Sequence, residues 1–444
     1  MITKKWQPYP TYKDSGVEWL GEVPEHWEVK RLKFLITESL KYGANESAQL
    51  EDKDCPRFIR ITDITEDGLL KEDTFRSLPK DIAKPFILKT GDILFARSGA
   101  TFGKSFMYRE QWGIACHAGY LIRARLKLAE ALPEFVSYFA NSSVYWDWIS
   151  SIFIQATIQN VSAEKYANLW MGVPDIQEQQ KIAEFLDQET SKIDKLITKK
   201  ERLIELLKEK RTALISHAVT KGLNPDVPMK DSGVEWLGEI PEHWELRHLR
   251  RIVKKFVDYR GATPEKVSNG IPLITARNIK NAAIDFSLSQ EFIKEEDYDN
   301  WMVRGFPEKG DVVVTTEAPL GESAQIIDTN IALAQRVILL KAQKNKITNE
   351  YLKYHFVSTF GQGELWSKGT GSTAIGIKAS HFKGTLVLVP RLEEQQKIAQ
   401  FLDRETSKID NLITKTRTSI DHLKEYRTAL ISAAVTGKID VREH

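Results

Sequence analysis

KDSGVEWLGEVPEHW runs from Lys13 to Trp27, and KDSGVEWLGEIPEHW runs from Lys230 to Trp244. Fourteen of these 15 positions are identical, the exception being Val23 against Ile240, at an offset of 217 residues. A longer pair follows: Glu178–Thr220 and Glu394–Thr436 agree at 32 of 43 positions, at an offset of 216. Long matches at one period mark an internal repeat. The chain is two homologous halves in tandem, each a variable stretch followed by a shared helical one.

Between the shared blocks the pattern persists while identity is lost. RFIRITDI (57–64) faces IPLITARNI (271–279), and GDILFARSGATFGKS (91–105) faces GDVVVTTEAPLGES (310–323). LPEFVSYF (132–139) faces NEYLKYHF (349–356), and NVSAEKYANLWMGVP (160–174) faces GIKASHFKGTLVLVP (376–390). One frame carrying dissimilar surface residues predicts two different ligand surfaces. Drift alone sits badly beside flanks that stayed nearly identical. The short β-branched and aromatic runs end at Gly, Asp or Ser, so each variable stretch reads as α+β. One amphipathic helix per half is predicted, around 132–149 and 348–360.

The shared stretches read as coiled-coil arms. Ile182, Leu186, Ile193, Leu196, Leu203, Leu207 and Leu214 follow the a/d rhythm of a heptad, repeated by Ile398, Leu402, Ile409, Leu412, Leu423, Tyr426 and Leu430. Pro174 and Pro390 precede the helices, Asp175 is available as a cap, and Gly222 and Gly437 end the pattern. Glu189 with Glu405, and Lys200 with Thr416, place polar residues at seam positions, which fixes register. Two such arms are expected to pair with each other, antiparallel, as a ruler between the variable domains. The expected divisions are 1–174 for the first domain, 175–222 for the central helix, 223–390 for the second domain, and 391–444 for the distal helix and tail.

Chemistry of its own is not expected. The chain has 444 residues, 63 Lys+Arg against 61 Asp+Glu, and two cysteines, the composition of an ordinary globular protein of more than one domain. Cys55 and Cys116 are too few for a disulfide framework or a zinc cage, so a reducing cytoplasm is the expected location. No apolar run approaches the ~20 residues of a membrane span, and MITKKWQPYPTYKDSG has no apolar signal core. Gly99-Ala-Thr-Phe-Gly103-Lys104-Ser105 resembles a P-loop but has three residues between its glycines where four are needed, and APLGES (318–323) lacks the lysine. The nine histidines show no metal-ligand spacing; His26 and His243, beside Trp27 and Trp244, read as frame residues. The E-x-K at Glu51–Lys53 occurs in one half only. A binding protein without an active site is expected.

Nucleic acid is the ligand that the strand-end loops suggest, because their side chains are those that read base edges and phosphates. The first half offers Arg60, Thr62, Asp63, Arg97, Ser98, Lys104, Ser105, Gln155, Thr157 and Asn160. The second offers Arg277, Asn278, Lys280, Thr316, Glu317, Ser323, Lys368, Thr370, Ser372 and Thr373. Residues 28–175 hold 19 basic and 19 acidic side chains, and residues 245–390 hold 20 and 16. A duplex binder acting alone draws most of its affinity from phosphates. Such balance fits a module that supplies sequence choice while a partner supplies charge.

The doubled KDSGVEWLGE(V/I)PEHW block, the ITDI and GDILFARSG elements, and the arms IQEQQKIAEFLDQETSKID and LEEQQKIAQFLDRETSKID together resemble the specificity subunits of Type I restriction–modification enzymes. The resemblance covers essentially the whole chain. It implies two target-recognition domains, each reading half of a bipartite site in double-stranded DNA, and a coiled coil that sets the spacer and docks two methyltransferase subunits. Restriction subunits would join through that complex. S-adenosylmethionine, ATP and Mg would bind the partners, with no cofactor or metal on this chain. The second half reads TEAPLGE where the first has RSGATFGK, which implies that the two half-sites differ.

Overall fold

The computed structural model describes residues 6–443 apart from 48–49, 66–67, 99–101, 155–159, 262 and 372–374. Two compact units form, one from residues 1–200 and 418–444, the other from 201–417. Each unit therefore takes one variable domain together with parts of both long helices, Ile176–Lys221 and Leu392–Val435. The compact units cut across the divisions expected from sequence, because each helix continues from one unit into the next.

The same sheet is built twice. In the first unit the strand order is Lys41–Tyr42, Leu121–Ala124, Ile93–Ala96, Ser105–Met107, all antiparallel. In the second it is Val253–Asp258, Val337–Ala342, Val312–Thr316, Leu320–Gln325, again antiparallel. The central strands Ile93–Ala96 and Val312–Thr316 are buried along their whole length, which explains why they read as near-continuous apolar runs rather than alternating ones. A parallel pair accompanies each sheet: Arg57–Ile59 with Ala115–His117, and Ile271–Ile274 with Ala332–Leu333. The α+β reading of the variable stretches holds.

The single helix expected around 132–149 is two, Pro133–Phe139 and Ser143–Ile154. Its counterpart is likewise divided into Asn349–Val357 and Thr359–Ser367. Serine makes the break in both. Ser142 Oγ donates to Phe139 O at 2.7 Å, and Ser358 Oγ donates to His355 O at 2.6 Å, so the hydroxyl competes with the helical bonds.

The duplicated blocks lock each domain to the long helices. Asp175 Oδ1 caps the first helix by accepting from Glu178 N at 2.8 Å. Buried Glu178 then accepts from Tyr9 OH at 2.6 Å and Trp27 Nε1 at 3.0 Å, and its Oε2 lies 2.8 Å from His26 Nε2. His243 Nε2 lies 2.8 Å from Glu394 Oε2 in the second unit. Both histidines are frame residues. Gln179 clamps the loop before Pro133 through Leu132 N, Glu130 O and Pro174 O. Gln395 does the same with Thr348 N, Lys346 O and Pro390 O.

Within each unit the two helical segments run antiparallel. In the first, Lys181 Nζ donates to Arg442 O while Arg427 reaches Asp194 at 2.9 Å. In the second, Glu394 lies beside Gly222 while Arg211 reaches Asp410 at 3.0 Å. The seam departs from expectation in its middle. Leu196, Leu203, Leu412 and Tyr426 are exposed, whereas Ile197, Ile204, Ile413 and Ile420 are buried. The burial pattern moves one residue onward after Ile193 and Ile409, and the first helix offers an apolar side chain at both 196/197 and 203/204. Ile182, Leu186, Ile193, Leu207, Ile398, Leu402, Ile409, Leu423 and Leu430 are buried, and Leu214 is half-buried. Thr416 is buried at the seam, while Lys200, Glu189 and Glu405 are half-buried.

Candidate nucleic-acid interface

The central strand of each sheet ends in the same backbone frame. Arg97 N donates to Tyr120 O at 3.0 Å, and Arg97 O accepts from Val161 N at 2.9 Å; Ser98 forms a bridge with Asn160. In the second unit Thr316 N donates to Arg336 O at 2.9 Å, Thr316 O accepts from Ile377 N at 3.0 Å, and Glu317 bridges Gly376. These bonds align Arg97 with Thr316, Tyr120 with Arg336, Ser98 with Glu317, and Asn160 with Gly376. The backbone is shared; the side chains are not.

A second element is shared in the same way. A single 3-10 turn, Ile61–Asp63 or Ala276–Asn278, follows strands Arg57–Ile59 and Ile271–Ile274. Each turn is closed by a reciprocal capping box. Asp63 accepts from Arg60 N at 2.9 Å, Nε at 3.0 Å and Nη2 at 2.7 Å, and Arg60 Nη2 also donates to Thr74 O. Buried Asn278 accepts from Thr275 N at 2.9 Å and Oγ1 at 2.8 Å, and its Nδ2 donates to Asp285 O and Ser289 O. The turns align Thr62 with Arg277, and both are exposed.

Several expected contact residues are therefore structural. The Arg60 fork is occupied by Asp63, and Asp63 and Asn278 are sealed inside their turns. Thr316 is buried in the sheet; Ser323 is fully buried, with Oγ donating to Lys353 O. Strand-end polar groups serve caps and ladders as readily as ligands, which is why their type alone did not separate the two roles. Ser105 Oγ is buried with no hydrogen-bond partner among the described residues, and Lys368 is tied to Glu364. Lys104 and Ser105 pass into a strand, with Ala96 N donating to Lys104 O, so the Gly-rich segment runs strand to strand rather than into the helix a P-loop needs. Gln155, Thr157, Ser372 and Thr373 lie outside the described residues, as do Gly99 to Thr101 of that segment.

What remains at the surface differs between units. In the first, the Arg97 guanidinium lies 5.0 Å over the Tyr42 ring, with Nε donating to Asn160 Oδ1 at 3.2 Å, and Tyr120 is 67% exposed. Thr62 is exposed; Ser98, Lys104 and Asn160 are half-buried. In the second, a cleft of about 220 Å³ is lined by Lys266, Thr275, Arg277, Gln335 and Arg336, with Ala276, Ala318, Ala334 and Glu291. Lys280 and Thr370 are exposed, and Glu317 is half-buried. Beside the frame, Arg260 grips Asp258 at 2.6 Å; burial pushes that carboxyl up, but the guanidinium outweighs it and holds it below the usual range. Tyr42, Tyr120, Lys266, Gln335 and Arg336 are the surface residues that sequence reasoning missed. The signal for two of them is positional, since Tyr120 and Arg336 each stand immediately before an apolar strand.

Residues 24–206 and 241–422 match the family described as the Type I restriction modification DNA specificity domain. The chain belongs to that family. The Type I restriction enzyme MjaVIII specificity subunit of Methanocaldococcus jannaschii is 26% identical over 433 residues, covering 95% of this chain and 94% of that protein. The EcoKI specificity subunit of Escherichia coli K12 is 20% identical over 435 residues, covering 94% and 90%. A chain from a structural study of complex assembly and conformational transition of the type I R-M system has a TM-score of 0.71 at 14% identity, covering 94% of this chain and 99% of its own. The HsdS subunit of Thermoanaerobacter tengcongensis has a TM-score of 0.54 at 14% identity, covering 94% and 98%. Both show the same fold. No described helix is long and apolar enough to cross a membrane.

Proposed function

We propose that this chain chooses the DNA sequence for a Type I restriction–modification complex. Each unit reads one half of a bipartite site in double-stranded DNA. The long helices set the gap between the halves and carry two methyltransferase subunits, and restriction subunits join through them. S-adenosylmethionine, ATP and magnesium belong to those partners. One observation carries the reading: identical backbone frames bear Arg97, Tyr120 and Thr62 in one unit but Thr316, Arg336 and Arg277 in the other. The helix clamps at Gln179 and Gln395 are the same in both. Variation thus reaches the surfaces where sequence choice would be made, while the helix clamps, where one partner would meet both units, stay constant.

The test is to express the chain with its cognate methyltransferase subunit and map methylated positions across a genome. A bipartite motif interrupted by a fixed gap is expected. Replacing 28–173 with the matching stretch of a relative should then change one half of the motif alone. Methylation that does not depend on this chain, or a motif altered in both halves by the exchange, would count against the reading.

A further inference from the structure

We propose that Arg277 and Arg336 of the second unit together read a guanine in the half-site that this unit recognises. The inference rests on the DNA-reading function above and names its chemistry.

Both side chains have fixed roots and free heads. Four hydrogen bonds to the Asn278 side chain hold the turn that carries Arg277. Thr316 N and Oγ1 both donate to Arg336 O, at 2.9 and 3.3 Å. At the other end, Arg277 is exposed and has no ion pair among the described residues. Arg336 Nε stands 3.9 Å from Glu317 Oε2, the outer limit of an ion pair, and its side chain is half exposed. Lys266 is neutralised by Glu291 at 2.7 Å, so the positive charge of the shared cleft resides on the two guanidinium forks. Ala276, Ala318 and Ala334 leave those forks uncrowded.

A fork with two parallel N–H donors suits guanine O6 and N7, and suits a phosphate as well. Comparison of the units favours the base. Phosphate contacts carry no sequence information, so modules that dock alike on any duplex would retain them in both units. Thr62 and Tyr120 occupy these two places in the first unit. Two positions on a constant frame that change together between units are where half-site identity would be written.

The experiment is methylation mapping with the full complex carrying Arg336→Ala, Arg277→Ala or Arg336→Lys. Each alanine variant should make one G·C position degenerate in one half-site only, with preference for the cognate base falling roughly 5- to 150-fold. The other half-site and the gap should be unchanged, which also reports that the variant folds and assembles. Arg336→Lys keeps the charge but not the fork, and should leave that position relaxed. An unchanged motif with uniformly weaker methylation, restored by lysine, would identify phosphate contacts and overturn the proposal. An unchanged motif at unchanged strength would overturn it too. If the wild-type complex itself gave no bipartite motif, the underlying reading would fail instead.

Discussion

Arg211 Nε donates to Asp410 Oδ1 at 3.0 Å, and the pair has a counterpart at the repeat offset of 216, Arg427 to Asp194 at 2.9 Å. Each pair joins the first long helix to the second within one unit. Asp410→Arg should destabilise the second unit and the double exchange Arg211→Asp with Asp410→Arg should restore it. Because Asp410 is half exposed, the coupling should be small, about 0.2–1 kcal/mol, and should shrink in high salt. Urea unfolding of the four variants gives the coupling. A double variant no better than the worse single one would show that the pair does not act across the helices.

The buried seam makes a sharper prediction about neighbouring residues. Ile197 is 9% exposed and Leu196 is 43% exposed. Ile197→Ala should cost about 2–5 kcal/mol, as core truncations do. Leu196→Ala should stay within about 0.5 kcal/mol. A larger cost at Leu196 than at Ile197 would return the seam to the phase expected from sequence.

That pair also shows what sequence could and could not disclose. The repeat, both long helices and the frame role of the His26 and His243 blocks were legible, because repetition and heptads are long-range patterns that single residues cannot disguise. The seam phase was not, because KLIT (195–198) and RLIE (202–205) set two large apolar residues side by side. The contact surface was legible in kind only. Arg60 and Arg97 look alike at strand ends, yet one is closed by a carboxylate three residues on and the other lies over an aromatic ring. Arg336 stayed hidden because its position has meaning only once Thr316 is seen to bond it.

A pH dependence follows from His117. Its ring is fully buried, with Nδ1 3.1 Å from Phe86 O, and burial pulls its pKa down to about 4. The unfolded chain takes up the proton near pH 6.5, before the folded one does, so the folded state is favoured above that value. The His117 contribution should be lost as pH falls from about 6.5 toward 4, and buried His355, pulled down to about 3 by burial, adds a like loss in the second unit. His117→Gln should therefore reduce this dependence in urea titrations across that range, leaving the part due to His355. A wild-type slope retained in the variant would place the effect elsewhere.

In the first unit a base contact is best tested at Arg97. Its Nε is engaged by Asn160 and its plane rests on Tyr42, which orients the remaining donors. Arg97→Ala should weaken binding of cognate DNA by about 1–3 kcal/mol while leaving random duplex nearly unaffected. Competition assays on the assembled complex measure both. Equal losses would make it a phosphate contact.

The linker between the first long helix and Met229 is exposed from Leu223 to Pro225. Yet Ser143 N is bonded to Ser432 Oγ in one unit, and Thr359 N to Ser216 Oγ in the other. Each unit thus holds pieces from both sides of that linker, and covalent continuity there contributes little to either core. A protease that nicks the chain between Leu223 and Asp226 should yield two bands under denaturing conditions and one undivided particle in native buffer.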